Sequence, residues 1–210
     1  MNRIITGEEA RSIIRKGVDE TANIVKLTYG AKGRNVIVAR PHMLPYITKD
    51  GVTVAKEAML DDEIANIGAY LIKQVAARTD DGVKDGTTSS TILAQAIVNE
   101  ADSMLKQGVN PVYVKRGIDK AMEFAVKKLK TLSTKIKTNT ELRNIATISA
   151  NGDKEIGKLI AEIYKKTGKD GVIKVEEGLT TETTVEYTKG YEIDNGFLNW
   201  GFINNHEKNQ

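Results

Sequence analysis

Apolar residues recur at helical spacing in four successive stretches of the first 130 residues. These stretches are residues 10–25, 64–75, 92–104 and 118–129. A repeat of three to four residues places apolar side chains on one face of a helix. Thr6 and Glu9 predict a capping box before the first helix, Gly30 and Gly108 follow the first and third, and Pro111 opens the fourth. We therefore expect amphipathic helices that pack through these faces.

The helical pattern is interrupted twice. Short β-branched runs at 36–38 and 46–48 flank a loop with two prolines and predict a hairpin. Residues 131–140 are rich in lysine and threonine, which we interpret as a domain boundary. The elements predicted after it are two short helices and then two strands, at 142–149, 153–167, 171–175 and 184–187. The predicted fold class is a mostly α domain followed by a small α/β segment.

The composition excludes several kinds of site. The chain has no cysteine, which excludes disulfides, thiolate zinc sites and a cysteine nucleophile. Its two histidines, His42 and His206, argue against a histidine metal centre or a Ser-His-Asp triad. The net charge is +3 without a dense basic block, so we expect no nucleic-acid partner. Without an apolar run of about 18 residues or an apolar leader, we expect no membrane contact and a cytoplasmic location.

The strongest local motif is a run of hydroxyl residues after Asp85 and Gly86, directly before the third helix. The run is Thr87, Thr88, Ser89, Ser90 and Thr91. A helix start exposes N–H groups and partial positive charge that suit a phosphate, and Gly86 permits close backbone approach. Asp85 would repel phosphate unless a cation lay between them, which indicates Mg²⁺. The alternative is that Asp85 or Thr87 is only an N-cap, although one hydroxyl suffices for a cap.

Two further turns could serve the same kind of site. Residues 28–34 form a glycine-containing turn with two cations, which could hold phosphate through N–H groups or simply end a helix. Its GxxG pattern also occurs in RNA-binding KH domains, where it joins two helices, whereas this turn precedes a strand. Asp50 follows a strand and could orient a water, help to hold a metal or form a plain turn. Because no Walker A pattern is present, a nucleotide site must have another design.

Together the three loops closely resemble the N-terminal part of a group I chaperonin, the GroEL family, over about Ile4 to Asn204. Further matching motifs lie at residues 93–97, 115–121, 147–151, 157–161 and 171–173. The nucleotide-binding residues that the resemblance implies are Thr28, Tyr29, Gly30, Ala31, Lys49, Asp85, Gly86, Thr87, Thr88 and Ser89. It implies that Asp85 contacts Mg²⁺ and that backbone oxygens of Thr28 and Lys49 hold K⁺. Asp50 would be a supporting catalytic carboxylate near the γ-phosphate of ATP.

The same resemblance implies a division into three domains. Residues 1–131 resemble the N-terminal part of an equatorial ATP-binding domain, 132–188 that of an intermediate domain, and 189–210 the start of an apical domain. The positions that match polypeptide-binding residues are Phe197, Leu198 and Phe202. Residues 4–6 and the hairpin match elements that pair with a neighbouring subunit. The implied partners are unfolded client polypeptides, a homo-oligomeric ring arranged as a double heptamer, and a co-chaperonin.

The function that the resemblance implies is ATP-driven protein folding by a chaperonin ATPase that uses ATP, Mg²⁺ and K⁺. Family chains are well over twice as long, and the main catalytic carboxylate falls outside this sequence. The alternative is a truncated, non-catalytic form that binds nucleotide weakly or interferes with ring assembly, and ATP turnover distinguishes the two. Ala31 and Ser89 replace the family's usual proline and threonine, which keeps the backbone and hydroxyl chemistry, and Lys84 is a charged departure beside the phosphate loop.

Overall fold

The computed structural model describes residues 4–150, 152–168, 171–176, 183–188, 190 and 199–204. The helices in these ranges are α1 (Gly7–Lys26), α2 (Gly51–Glu57), α3 (Ala65–Val83), α4 (Thr87–Lys106), α5 (Pro111–Leu132), α6 (Asn139–Ser149) and α7 (Lys154–Thr167), with a 3₁₀ turn at Trp200–Phe202. Two strands, β1 (Val36–Val38) and β2 (Tyr46–Thr48), pair antiparallel and form the predicted hairpin. None of these described helices is long and apolar enough to cross a membrane.

Helices α1 and α3 cross where two glycines face the opposite backbone. A Cβ added to Gly17 would lie 1.8 Å from the carbonyl oxygen of Ala65, and one added to Gly68 would lie 2.0 Å from that of Ile14. Both distances are far below any real Cβ contact, so a larger residue at either position must separate the helices. The two backbones therefore pack almost in direct contact.

Among the described residues, the core is formed by two small apolar clusters. One lies between α1, α3 and α4, and the other joins α1, α2 and α3. Their buried members are Val18, Ala22 and Ile72 in the first cluster, and Val25, Val52, Val54, Ala55 and Ala76 in the second. Because most of these side chains are small, the helices approach closely, and the C-terminal end of α1 meets the N-terminal ends of α2 and α4.

Helix α2 is an element that the sequence pattern does not predict. Its seven residues are too few to display a helical repeat. The predicted turn at Asp50 is instead its N-cap, whose side chain accepts a hydrogen bond from the backbone N–H of Thr53 at 2.8 Å. Since β2 ends only two residues earlier, the hairpin leads directly into the start of this helix.

An ion pair ties the hairpin loop to the other end of α2. Arg40 donates to both carboxylate oxygens of Glu57, with 2.8 Å between Nε and Oε2. The guanidinium also lies over the ring of Tyr46, 5.3 Å from its centroid. These hydrogen bonds hold the pKa of Glu57 below its ordinary value and the pKa of Arg40 above its own. A bidentate ion pair therefore joins the hairpin to the end of α2.

The fold differs from the sequence prediction at both ends of the chain. Thr6 is the N-cap of α1, but its side chain accepts no capping hydrogen bond, whereas Thr138 and Glu141 form a complete capping box on α6. The described residues 171–176 and 183–188 form no strand, contrary to the two strands predicted there. Two strands need a core to pack against. Val36 of β1 packs against the second cluster, whereas residues 171–176 and 183–188 are mostly exposed.

Helix α5 carries the predicted apolar stripe but leaves it largely uncovered. Val114 is its single buried residue among those described. On the predicted stripe, Met122, Val126 and Leu129 are 56%, 42% and 64% exposed. The pattern therefore identifies the helix and its apolar face, although most of that face lies in solvent.

Candidate phosphate-binding site

Helix α4 begins at a left-handed turn without a side-chain cap. Gly86 is its N-cap with φ +76°, and Asp85 accepts a hydrogen bond from the N–H of Gly86 at 2.7 Å. Neither Asp85 nor Thr87 is the N-cap, so that alternative is wrong. The first N–H groups of this 20-residue helix are presented without a capping side chain, which is the arrangement that suits a phosphate.

The hydroxyl run is divided between the interior of α4 and its open end. Ser90 and Thr91 donate to the carbonyl oxygen of Thr87 at 2.9 and 2.8 Å. The hydroxyl of Ser90 also lies 3.0 Å from that of Thr79 on α3. These bonds fix the first turn of α4. The hydroxyls at the open end are the three predicted to bind phosphate, those of Thr87, Thr88 and Ser89.

The turn after α1 reaches the start of α4. Thr28 is buried, and its hydroxyl donates to the carbonyl oxygen of Val25 at 2.8 Å. The hydroxyl oxygen of Thr28 also lies 3.3 Å from the hydroxyl oxygen of Thr88. The next three residues, Tyr29, Gly30 and Ala31, are exposed, and Gly30 has φ +67°. The structure therefore joins the first predicted turn to the phosphate loop through one threonine pair.

The third predicted turn meets the same two hydroxyl residues. A Cβ added to Gly51 would lie 2.2 Å from the hydroxyl oxygen of Thr88 and 3.4 Å from that of Thr87. Gly51 is thus the close-approach residue between α2 and α4, a role that the sequence analysis did not give it. The signal was its position directly after Asp50, in a pair that equally suits a turn.

Asp50 has a more specific environment than the sequence reveals. Besides the N–H of Thr53, its Oδ2 atom accepts from the hydroxyl of Thr53 at 2.5 Å, and its own N–H donates to the hydroxyl of Thr48 at 3.1 Å. Asp50 and the preceding Lys49 are exposed. Thr53 is therefore a second residue that the sequence analysis missed, and it orients the carboxylate of Asp50 beside Gly51.

The carboxylates around the site could bind a cation together with the phosphates of a ligand. Asp50 and Asp85 are exposed carboxylates, and no group of three or more His, Cys, Asp or Glu side chains forms a metal cage within the described ranges. Mg²⁺ commonly uses one or two carboxylates together with substrate phosphates, which fits this donor set. Lys84 Nζ lies 3.3 Å from Asp80 Oδ2 on α3, so this charged departure from the family pattern is paired with the helix that precedes it.

The predicted polypeptide-binding residues lie only partly in the described chain. Phe202 belongs to the 3₁₀ turn at Trp200–Phe202 and is 72% exposed. Phe197 and Leu198 lie outside the described residues. The site that the structure assembles is therefore the one formed by Thr28, Gly51 and the start of α4.

Comparisons of the sequence and of the structure with known proteins both identify chaperonins. The sequence model described as the TCP-1/cpn60 chaperonin family matches residues 21–209. The chaperonin gp146 from the bacteriophage EL 2 (Pseudomonas aeruginosa), crystallised in the presence of ATP-BeFx, is 26% identical with a TM-score of 0.71, over 85% of this chain and 32% of that chain.

A second solved structure supports the fold alone. A group III chaperonin in the open state is 23% identical with a TM-score of 0.66, over 75% of this chain and 32% of that chain. This chain therefore spans about a third of the length of the chaperonins that it resembles.

Proposed function

Because this chain belongs to the TCP-1/cpn60 chaperonin family, we propose that it binds Mg-ATP at the start of α4 and acts in ATP-dependent protein folding. The gp146 structure was obtained with an ATP analogue, which supports a nucleotide as the ligand. The observation that carries the proposal is the convergence of Thr28, Gly51 and Thr88 at an uncapped helix start. Three segments that are distant in sequence meet there through hydroxyl and glycine residues.

The proposal assigns a role to each part of the site. The N–H groups and hydroxyls of Thr87, Thr88 and Ser89 would bind phosphate oxygens, and Asp85 would hold Mg²⁺, which neutralises phosphate charge when bound. The turn of Tyr29, Gly30 and Ala31 would line the nucleotide. Backbone oxygens of Thr28 and Lys49 would hold K⁺, and Asp50 would support hydrolysis near the γ-phosphate.

The wider setting follows the family. We propose a cytoplasmic group I chaperonin subunit that acts in a ring, a double heptamer, with unfolded polypeptides and a co-chaperonin as partners. Phe197, Leu198 and Phe202 would contribute to polypeptide binding. The division into equatorial, intermediate and apical parts at residues 131 and 188 belongs to the same proposal. A chain that binds Mg-ATP without turnover would support the alternative, a non-catalytic form.

The test of nucleotide binding is a calorimetric titration with Mg-ATP. Gly51→Ala introduces a methyl group against Thr88, and we expect the dissociation constant to rise by about tenfold. Gly117→Ala on α5 is the matched control, since a Cβ there meets nothing within 4 Å, and its affinity should equal that of the wild type. Absence of Mg-ATP binding by the wild-type chain would contradict the proposal, as would equal binding by the Gly51→Ala variant.

A further inference from the structure

A line of polar side chains lies between α1 and α4, where apolar contacts would be expected. We call this line the polar seam. Its members are Arg15, Asp19 and Asn23 on α1 and Gln95, Asn99 and Asp102 on α4. The pairing runs antiparallel, because the last α1 member contacts the first α4 member and the reverse holds at the other end.

Asp19 is the centre of the polar seam. Its Oδ1 atom accepts from the side-chain amides of Gln95 and Asn99, each at 2.8 Å. Gln95 is buried and donates further to Asn23 at 3.2 Å. A buried amide that loses its acceptors is strongly disfavoured, so this arrangement specifies one relative position of the two helices.

The apolar contacts beside the polar seam specify that position poorly. Val18 and Ala22 on α1 meet Ala94 and Val98 on α4, and these small side chains form a smooth surface. Hydrophobic contact is not directional, whereas hydrogen bonds between buried polar groups are, and such groups are known to fix helix register. The register of α4 on α1 therefore depends on Asp19 and its two amide partners.

The same register determines the geometry of the candidate site. Gln95 is seven residues after Thr88, about 10 Å along α4, and Asp19 lies on the helix that leads to Thr28. The 3.3 Å contact between the hydroxyls of Thr28 and Thr88 depends on the axial position of α4. The close approach of Thr88 to Gly51 is tight enough that even a small axial shift of α4 would disturb it.

We propose that Asp19 is a positioning residue for nucleotide binding, which acts through Gln95 and Asn99 to hold Thr88 against Thr28 and Gly51. This inference rests on the proposed function. Asp19 itself would not contact the nucleotide. Removal of the Asp19 side chain would let α4 shift along α1 and would distort a phosphate site two turns away from Gln95.

The test uses Mg-ATP titrations of the full chain to compare variants of Asp19 and Gln95 with a variant at the far end of the polar seam. Asp19→Ala removes the shared acceptor, and Gln95→Met removes the donors while keeping a side chain of similar size. We expect each to raise the dissociation constant for Mg-ATP by about tenfold. Asp19→Asn keeps the Oδ1 acceptor and should remain within about threefold of the wild type.

The matched control is Asp102→Ala at the far end of the polar seam. Asp102 pairs with Arg15 and Lys106 at 3.3 and 3.1 Å and lies about 21 Å along α4 from Thr88. We expect it to lower thermal stability and leave nucleotide affinity unchanged. If Asp19→Ala unfolds the chain, Gln95→Met decides the question.

The outcomes separate this inference from the proposed function. No binding by the wild type would refute the function. Wild-type binding with unchanged affinity in Asp19→Ala and Gln95→Met would overturn the positioning role alone. Equal losses in those two variants and in Asp102→Ala would also overturn it, because the polar seam would then act only through stability.

Discussion

The hydroxyl oxygens of Thr28 and Thr88 lie 3.3 Å apart although 60 positions separate them in the sequence. Thr28 closes the turn after α1, and Thr88 belongs to the first turn of α4. This contact connects two loops, each of which the sequence pattern separately predicts to bind phosphate. It therefore provides the most direct place to test whether the loops form one site.

Thr28→Val removes the hydroxyl while keeping the shape of the side chain. We expect loss of a buried hydrogen bond to lower the free energy of unfolding by about 1 kcal/mol, and the dissociation constant for Mg-ATP to rise about tenfold. Thr131→Val is the control, because Thr131 also donates to the carbonyl three residues before it, at 2.7 Å, on the exposed face of α5. Urea denaturation and calorimetry measure both effects, and equal affinity in the two variants would argue against a shared site.

Asp50 is both the N-cap of α2 and a candidate for hydrolysis, and two substitutions separate these roles. Asp50→Ala should lower stability by about 1 kcal/mol through loss of the cap, whereas Asp50→Asn keeps a good cap. If the charge acts on ATP, both variants should lower the rate of phosphate release, measured by a coupled assay. Normal rates in Asp50→Asn would restrict this residue to its structural role.

Asp85→Asn should affect ATP binding in opposite directions with and without Mg²⁺. Without the metal, removal of a negative charge reduces repulsion of the phosphates, and ATP should bind more tightly in EDTA. With Mg²⁺ present, a carboxylate ligand is lost, and binding should weaken. Titrations under both conditions check this, with Asp81→Asn as an exposed control on α3. Parallel changes in the two conditions would mean that Asp85 holds no cation.

Lys84 adopts a left-handed conformation with φ +58° at the C-cap of α3. Lys84→Gly should remove this strain and raise the free energy of unfolding by roughly 0.5–1 kcal/mol. Lys84→Ala retains the strain and loses only the exposed ion pair with Asp80, which is worth little. Thermal denaturation distinguishes them. Equal stability of the two variants would show that the turn itself is not strained.

Glu57 should contribute to the loss of stability of the folded chain at acidic pH. Hydrogen bonds from Arg40 lower the pKa of Glu57 in the folded chain, so the unfolded chain binds a proton more readily. The resulting stability is fully present above the ordinary pKa of glutamate and is lost as the pH falls through the depressed value. Glu57→Gln should therefore flatten the stability profile in that acidic range. An unchanged slope in denaturant titrations across it would contradict this assignment.

The parts of the fold that the sequence predicts are those with a local signal. Both ends of α4 and the start of α5 follow from the hydroxyl run, Gly108 and Pro111, and the hairpin follows from two β-branched runs. Helix α2 has no such signal, because its short length hides its period and Asp50 suits a turn equally well. The two predicted strands have the right alternation, yet alternation alone does not supply a pairing partner.

The parts of the site that the sequence cannot predict are long-range contacts. Gly51 against Thr88 and Asp19 against Gln95 join residues far apart in the chain. No window of neighbouring residues contains both partners, so periodicity and turn chemistry give no indication of the pair. The resemblance to chaperonins brought the three loops together in advance, but it did not identify the polar seam.

The uncovered face of α5 has a thermal consequence. Met122 and Leu129 on this face are already largely hydrated in the folded chain, so unfolding adds little to their contact with water. Apolar hydration is the main source of the heat capacity increase on unfolding, and this chain gains less of it than a protein that buries the same residues. Its stability curve is therefore expected to be flatter than that of such a protein, with a folding free energy that changes less from cold to warm conditions.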